Sequence, residues 1–180
     1  MTSRVLYSVT MSLDGFIAGP GGDMSWLAPR LGPNPAAEDL VDQVGAFLVG
    51  RRTFGGDDPN AGTDREGAME GAWHGPQFVL THRPPAEPVP GVTFVTDLHE
   101  AVAAAREAAG GRYVNVLGAE VARQLVAAGL LDEILVFVAP VLLGDGTRLF
   151  EHPGGTDVAL ERLSSSESPL ANGLWYRVLR

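Results

Sequence analysis

Three short stretches of the 180-residue sequence carry side chains suited to holding an anion, and each comes directly off an apolar run. Gly50-Arg51-Arg52-Thr53 follows Ala46 to Val49, Thr81-His82-Arg83 follows Phe78 to Leu80, and Leu117-Gly118-Ala119-Glu120 ends the run that begins at Tyr113. A guanidinium makes bidentate, charge-assisted bonds to phosphate. Ligands of open α/β sheets bind beyond the carboxyl ends of strands, where helix N-termini offer unpaired N–H groups. If the apolar runs are parallel strands, all three turns face one crevice, and the chemistry they suit is phosphate binding. Taken singly, each has a plainer reading: arginines exposed in a turn, a strand stopped by Pro84-Pro85, and a tight turn at a residue without Cβ.

Two carboxylates and an indole are the candidates for the reacting end. Asp14 follows the first apolar alternation, although Asp14-Gly15 is equally a turn dipeptide. Glu38, with Asp39, falls in the first turn of a short helix that Asn34-Pro35 opens. Trp26 stands just past Gly19-Pro20-Gly21-Gly22, where an indole covers a planar ligand or fills a core. The stretch from Gly19 to Met24 holds three glycines and a proline, so it reads as an irregular, mobile loop and is expected to act as a lid.

Composition removes many other chemistries. With no cysteine there is no disulfide framework, thiol nucleophile or cysteine metal site. All 13 basic residues are arginine, which excludes a Schiff base, a catalytic lysine and a P-loop lysine. Against 22 acids they leave a net charge of -9, which argues against nucleic acid or an anionic membrane as the main partner. Gly19-Pro20-Gly21 and Gly144-Asp145-Gly146 begin a dinucleotide fingerprint but meet Met24 and Leu149 where its last glycine belongs. The sequence has no G-x-S-x-G elbow and no H-E-x-x-H helix, and its four histidines, 74, 82, 99 and 152, are isolated. No apolar run approaches the roughly 18 to 20 residues of a membrane span, and Met1 to Thr10 lacks the basic and apolar regions of a signal peptide; the expected compartment is the cytoplasm.

The elements that must position these residues alternate strand with helix. Val5, Tyr7 and Val9 alternate with Leu6, Ser8 and Thr10, predicting a strand in a largely covered sheet. A short helix from Asn34-Pro35 to near Gly45 follows, then a brief strand from Ala46 to Val49. The polar, Gly-rich stretch from Gly55 to Gly75 reads as an exposed loop. Strands are predicted at Phe78 to Leu80, Val92 to Val95, Tyr113 to Leu117 and Ile134 to Ala139. Asp97 with Glu100 resembles a capping box opening a helix that Gly110-Gly111 closes, and a second helix runs from Ala119 to Ala128. Val158 to Leu163 and Leu174 to Leu179, with no helix between them, predict an antiparallel hairpin. The pattern is α/β with a mostly parallel sheet in a single domain spanning 1–180.

In this order the motifs resemble the dihydrofolate reductase-like superfamily, and in particular the C-terminal reductase domain of riboflavin-biosynthesis deaminase-reductases and its stand-alone bacterial relatives. The residues that carry the resemblance are Met11-Ser12-Leu13-Asp14-Gly15-Phe16-Ile17-Ala18, Leu48-Val49-Gly50-Arg51-Arg52-Thr53-Phe54, Val79-Leu80-Thr81-His82-Arg83-Pro84-Pro85, Val116-Leu117-Gly118-Ala119, Ala128-Gly129-Leu130-Leu131-Asp132-Glu133, and Pro140 through Gly144-Asp145-Gly146 to Phe150. The resemblance implies a three-layer α/β/α fold whose mixed sheet ends in antiparallel strands. It also implies NADPH in extended form, with the nicotinamide near the loop after the first strand, beside Ala18. By motif, Gly50, Arg51, Arg52 and Thr53 fall near the cofactor phosphates, and Thr81, His82 and Arg83 near the adenosine 2′-phosphate. Leu117, Gly118, Ala119, Glu120, Val121 and Ala122 open the helix beneath the pyrophosphate. Many relatives carry a Gly-Gly pair where this chain has Gly118-Ala119. Asn34 falls near the place where dihydrofolate reductases hold the pterin with an acid, Glu38 and Asp39 being the nearest carboxylates.

The function these features imply is NADPH-dependent hydride transfer to a small heterocycle, pterin-like or pyrimidine-like. Asp14 and Glu38 are the catalytic candidates and Trp26 the substrate-binding one. The alternatives are an NADPH-binding sensor or remnant without turnover, and an oligomeric scaffold with an empty crevice. The relatives imply a homodimer, and Phe137, Trp175 and Tyr176 of the late strands suggest a face that one copy leaves uncovered.

Overall fold

The alternation that begins at Val5 becomes β1 (Val5–Ser12), and the sheet is built outward from it in both directions. The computed structural model describes residues 2–155 and 157–179, so the expected domain bounds run one residue past the described chain at each end. After β1 come β2 (Phe16–Ala18), α1 (Pro35–Val41), β3 (Val44–Gly50), α2 (Arg51–Phe54), β4 (Gln77–Leu80) and β5 (Val92–Val95). They are followed by α3 (Leu98–Ala109), β6 (Tyr113–Leu117), α4 (Ala119–Ala127), β7 (Glu133–Ala139), β8 (Thr147–Arg148), β9 (Leu160–Glu167) and β10 (Asn172–Val178). Eight strands form one sheet in the order β5-β4-β3-β6-β1-β7-β10-β9. Every pair from β5 to β7 is parallel, and the pairs of β10 with β7 and β9 are antiparallel. No helix among the described residues is long and apolar enough to cross a membrane.

Each face of the sheet has its own core. On one, α3 and α4 lay Ala101, Val102, Ala105, Ala109, Val121, Ala122 and Leu125 over Val5, Tyr7, Ala46, Leu48, Val114 and Val116. The alanine-rich face lets α3 lie close to the strands, and its ends are built as the sequence predicts. Asp97 accepts a hydrogen bond from Glu100 N, and Gly110 closes the helix in the left-handed conformation. On the other face α1 contributes Leu40 to a cluster with Leu6, Phe47, Val49, Leu135 and Phe137. The architecture is the expected three-layer α/β/α fold.

Several local expectations give way to packing. The first helix stops at Val41 rather than near Gly45, because Val44 is already paired with Tyr113 in β3 and its carbonyl accepts the indole N–H of Trp73. That indole, packed edge-on to Phe47, is buried, so the long loop is not exposed throughout. Asn34 precedes α1 without a side-chain cap; instead Glu38 accepts from Asn34 N. The Gly19 loop is irregular, with Gly21 and Gly22 at positive φ, but it is pinned by fixed hydrogen bonds. Pro20–Gly22 form a 3-10 turn, Gly19 N donates to Asp23 O, and the Asp23 carboxylate accepts from Ser25 N and Oγ. The terminal hairpin begins at Leu160 and runs longer than predicted.

Two carboxylates hold distant segments together. Glu133, 1% exposed at the start of β7, accepts from Arg4, from the Tyr113 hydroxyl at 2.9 Å and from the Trp175 indole at 2.8 Å. Burial, and then the Glu133 carboxylate, push the Tyr113 hydroxyl up to about 12, so it remains a donor. Asp14 works at the other end of the sheet. Its carboxylate accepts from Ser12 Oγ at 2.6 Å, Leu143 N at 3.1 Å and Gly144 N at 2.7 Å. Alongside it β2 pairs with β8, the Arg148 guanidinium lies 4.6 Å from the centre of the Phe16 ring, and Leu13 N donates to Val141 O. Gly146 adopts φ +133 with no room for a Cβ, which would sit 2.0 Å from Ala18 O.

Replacing Glu133 by alanine strands three donors, and we expect a stability loss of about 2–4 kcal/mol in urea unfolding. An unchanged midpoint would show that the cluster contributes nothing. The Asp14 carboxyl is held near 2, by its Ser12 bond first and then by the two loop N–H groups, against an ordinary value of 3.8. A depressed carboxyl stabilises fully above its ordinary value, so the clamp is lost as pH falls through about 2. A carbon-13 titration should find that midpoint, and an ordinary one would mean that the donors are not engaged in solution.

Candidate functional site

Because β3, β4 and β6 are parallel neighbours, Gly50, Leu80 and Leu117 end along one edge of the sheet. The three turns singled out in the sequence are thus brought together. β6 passes into α4 through Gly118 at φ +110, where a Cβ would come within 2.6 Å of Thr53 Oγ1. The β6–α4 turn therefore rests directly on the one-turn helix α2. That helix is held in turn by Phe54, which packs edge-on against Phe94 of β5.

The N-terminus of α4 is open. No side chain caps it, and the first helical bond is from Ala122 N to Gly118 O, which leaves the N–H groups of Ala119, Glu120 and Val121 free of helical acceptors. The acid in that first turn is committed elsewhere: Glu120 accepts from Arg123 Nε and Nη2 and from Gln124 Nε2. These bonds, Arg123's foremost, hold its carboxyl below the usual range, with Arg52 adding to the effect. Arg51, Arg52 and Arg83 are exposed and form no ion pair among the described residues. Thr81 is buried and turns the chain after β4, its Oγ1 accepting from Arg83 N, with His82 exposed between them.

The expected reacting end lies past β1. There the Asp14 clamp draws β2 and β8 together, with buried Ala18 closing β2. The carboxylate of Asp14 is occupied by three donors, and Glu38 is exposed on α1 beside Asn34. Trp26 is buried but belongs to neither core cluster, and its indole N–H has no partner among the described residues. Met24 N donates to Asp57 Oδ2 at 3.1 Å, which ties the loop after β2 to the segment after α2. Nothing local in the sequence signals that link, because the partners are 33 residues apart.

These residues fit a dinucleotide phosphate on the structure's own terms. An open helix N-terminus, a backbone that excludes a Cβ at Gly118 and arginines that form no ion pair among the described residues supply donors and positive charge, while Glu120 beside them is ion-paired with Arg123.

Comparison with known proteins agrees with this geometry. The profile of the RibD C-terminal domain matches residues 3–169. A relative in Bacillus subtilis (strain 168), the uncharacterized protein YyaP, is 28% identical over 152 residues, covering 82% of this chain and 80% of its own. The diaminohydroxyphosphoribosylaminopyrimidine deaminase/5-amino-6-(5-phosphoribosylamino)uracil reductase of Thermotoga maritima superposes with a TM-score of 0.69 at 18% identity, over 99% of this chain. The match spans only 57% of that longer chain. Dihydrofolate reductase from Enterococcus faecalis, solved with NADP(H), superposes over the full length of both chains with a TM-score of 0.63 at 18% identity. The sheet order and the match across residues 3–169 agree: this chain belongs to the RibD C-terminal domain family and has the dihydrofolate reductase-like fold.

Proposed function

We propose that residues 1–180 act as one NADPH-dependent reductase domain that delivers a hydride to a small heterocycle, pterin-like or pyrimidine-like. The observation that carries the reading is the meeting, on one sheet edge, of the open α4 N-terminus with Arg51, Arg52 and Arg83, none of them ion-paired among the described residues. Membership of a reductase domain family supports it, as does the NADP(H) held by the Enterococcus faecalis enzyme. In this reading the N–H groups of Ala119 to Val121 bind the pyrophosphate over Gly118. Arg51, Arg52 and Thr53 lie along the phosphates, and Thr81, His82 and Arg83 take the adenosine 2′-phosphate.

When bound, NADPH supplies the hydride, and reducing one double bond also consumes a proton. Asp14 is ionised at neutral pH and spent on the clamp, so it positions the mouth rather than donating. Glu38 is directed to Asn34 N. That leaves water at the mouth as the proton source. The Pro20–Gly22 turn, Met24 on Asp57, and Trp26 then serve to limit how much water enters. The same commitment of both carboxylates favours the second reading, a protein that binds NADPH without turnover.

A homodimer goes with the reductase reading, and of the residues expected at its face Tyr176 and Trp175 are half-buried. Phe137 is buried within one copy and the Trp175 indole is bonded to Glu133, whereas Val158, Leu160, Leu163 and Leu179 are exposed around β9 and the end of β10. Sedimentation at micromolar concentration should give twice the 19.0 kDa of the chain, and a monomer mass would remove the dimer.

Fluorescence titration should show tighter binding of NADPH than of NADH. Replacing Arg83 or Arg51 by alanine should weaken NADPH by on the order of 1.5 to 3 kcal/mol, as expected for losing one charge-assisted bond. Equal affinity for the two cofactors would sink the reading. Oxidation of bound NADPH by pterins, ribosylated pyrimidines or quinones separates the enzyme from the second reading, which predicts none.

A further inference from the structure

β1 carries a polar stripe that neither the cores nor the phosphate cradle uses. Alternate residues of a strand share a face, so Ser8 and Thr10 lie on the side of Leu6, which packs in the α1-side core. Val5, Tyr7, Val9 and Met11 take the other side, against the α3 and α4 core. A strand inside a parallel sheet is covered on both faces and is normally apolar on both, and β1 obeys this as far as Tyr7. Ser8 and Thr10 are only half-buried, and neither hydroxyl has a hydrogen-bond partner among the described residues.

The register shows why the stripe lies open. Tyr7 pairs with Val116 and β6 ends one residue later, so Ser8 is level with Leu117, and Thr10 extends past the point where Gly118 turns into α4. On the opposite side Ser8 and Thr10 pair with Leu135 and Phe137 of β7, both buried. One step lower, Asn115 pairs with Leu6 and shares this face; it is 2% exposed and its Oδ1 has no partner among the described residues. The result is an apolar wall interrupted by hydroxyls roughly 7 Å apart along the strand, beside the end of the crevice where the hydride would be delivered.

We propose that the Ser8 and Thr10 hydroxyls recognise the polar edge of the substrate ring and so determine specificity. This rests on the reductase reading. A hydroxyl both donates and accepts, so the pair suits an edge carrying N–H and C=O together, as the cyclic amide of pterins and pyrimidines does. A ring without such groups would leave both hydroxyls unpaired against Leu135 and Phe137, and the site would reject it.

The test uses the full chain saturated with NADP+, which has no hydride to give and so leaves ring binding as the only event, with NADPH affinity measured separately. Pterin and 5,6-diaminouracil are titrated by calorimetry into the wild type and into Ser8→Ala, Thr10→Val and Thr10→Ser. Valine keeps the branched shape of threonine without the hydroxyl, and serine keeps the hydroxyl without the branch. Ser8→Ala and Thr10→Val should each weaken at least one probe by about three- to tenfold, the size of one neutral hydrogen bond. Thr10→Ser should stay within about twofold, and NADPH affinity should be unchanged in all three. The proposal is overturned if Thr10→Val binds both probes like the wild type, or if Thr10→Ser loses as much as Thr10→Val, which would mean packing rather than hydrogen bonding. It is also overturned if NADPH binding falls instead of ring binding, or if the wild type binds NADPH but neither ring. Failure of the wild type to bind NADPH at all, visible before any ring is added, brings down the reductase reading and the recognition pair with it.

Discussion

Unequal pairing of β1 with its two neighbours shapes everything at the crevice. Against β7 it is paired from Leu6 to Ser12, whereas against β6 the pairing runs only from Val5 to Tyr7. β6 ends there because Leu117 is followed by Gly118, whose backbone turns into α4 at a φ that residues with a Cβ rarely adopt. The second half of β1 is therefore a ledge, supported on one side and open on the other. The N–H groups of α4 flank its start and the Asp14 clamp its far end. Lengthening β6 by two residues would fill the ledge and displace the helix start in the same step.

Charge in this molecule is distributed by commitment rather than by count. The chain carries a net -9, yet acids near the sheet's ends are engaged in fixed bonds: Glu133 with Arg4, Tyr113 and Trp175, Glu120 with Arg123 and Gln124, Asp14 with loop N–H groups. Arg51, Arg52 and Arg83 form no ion pair among the described residues, so three guanidinium groups stay available where the sheet ends.

Much of this was readable in the sequence because it is written in local signals. Turn residues after apolar runs located the ends of β3, β4 and β6, and Asp97 with Gly110 bounded α3. What could not be read depended on partners far along the chain. Gly45 looked like the end of a helix because its role beside Val44 in β3 is set by Tyr113 and Trp73. The Gly19 to Met24 stretch reads as mobile because Asp57, which holds it, lies in another loop. Asp14-Gly15 looked equally like a turn and a catalytic acid, and only Leu143 and Gly144 show that its carboxylate serves a structural bond. Ser8 and Thr10 were visible as polar residues in an apolar strand, but their accessibility depended on where β6 stops.

The Asp14 clamp also bears on the order of assembly. Its acceptor and its donors at Leu143 and Gly144 are separated by 129 and 130 residues, and the parallel pairing of β1 with β7 spans nearly as much chain. Contacts so remote in sequence form only after a large loop-closure cost has been met. During synthesis β1 can pair first only with β6, from Val5 to Tyr7, and its longer pairing with β7 becomes possible once Glu133–Ala139 has emerged. The clamp is thus the last of these contacts to become available, since its donors at Leu143 and Gly144 lie beyond every strand of the parallel part of the sheet.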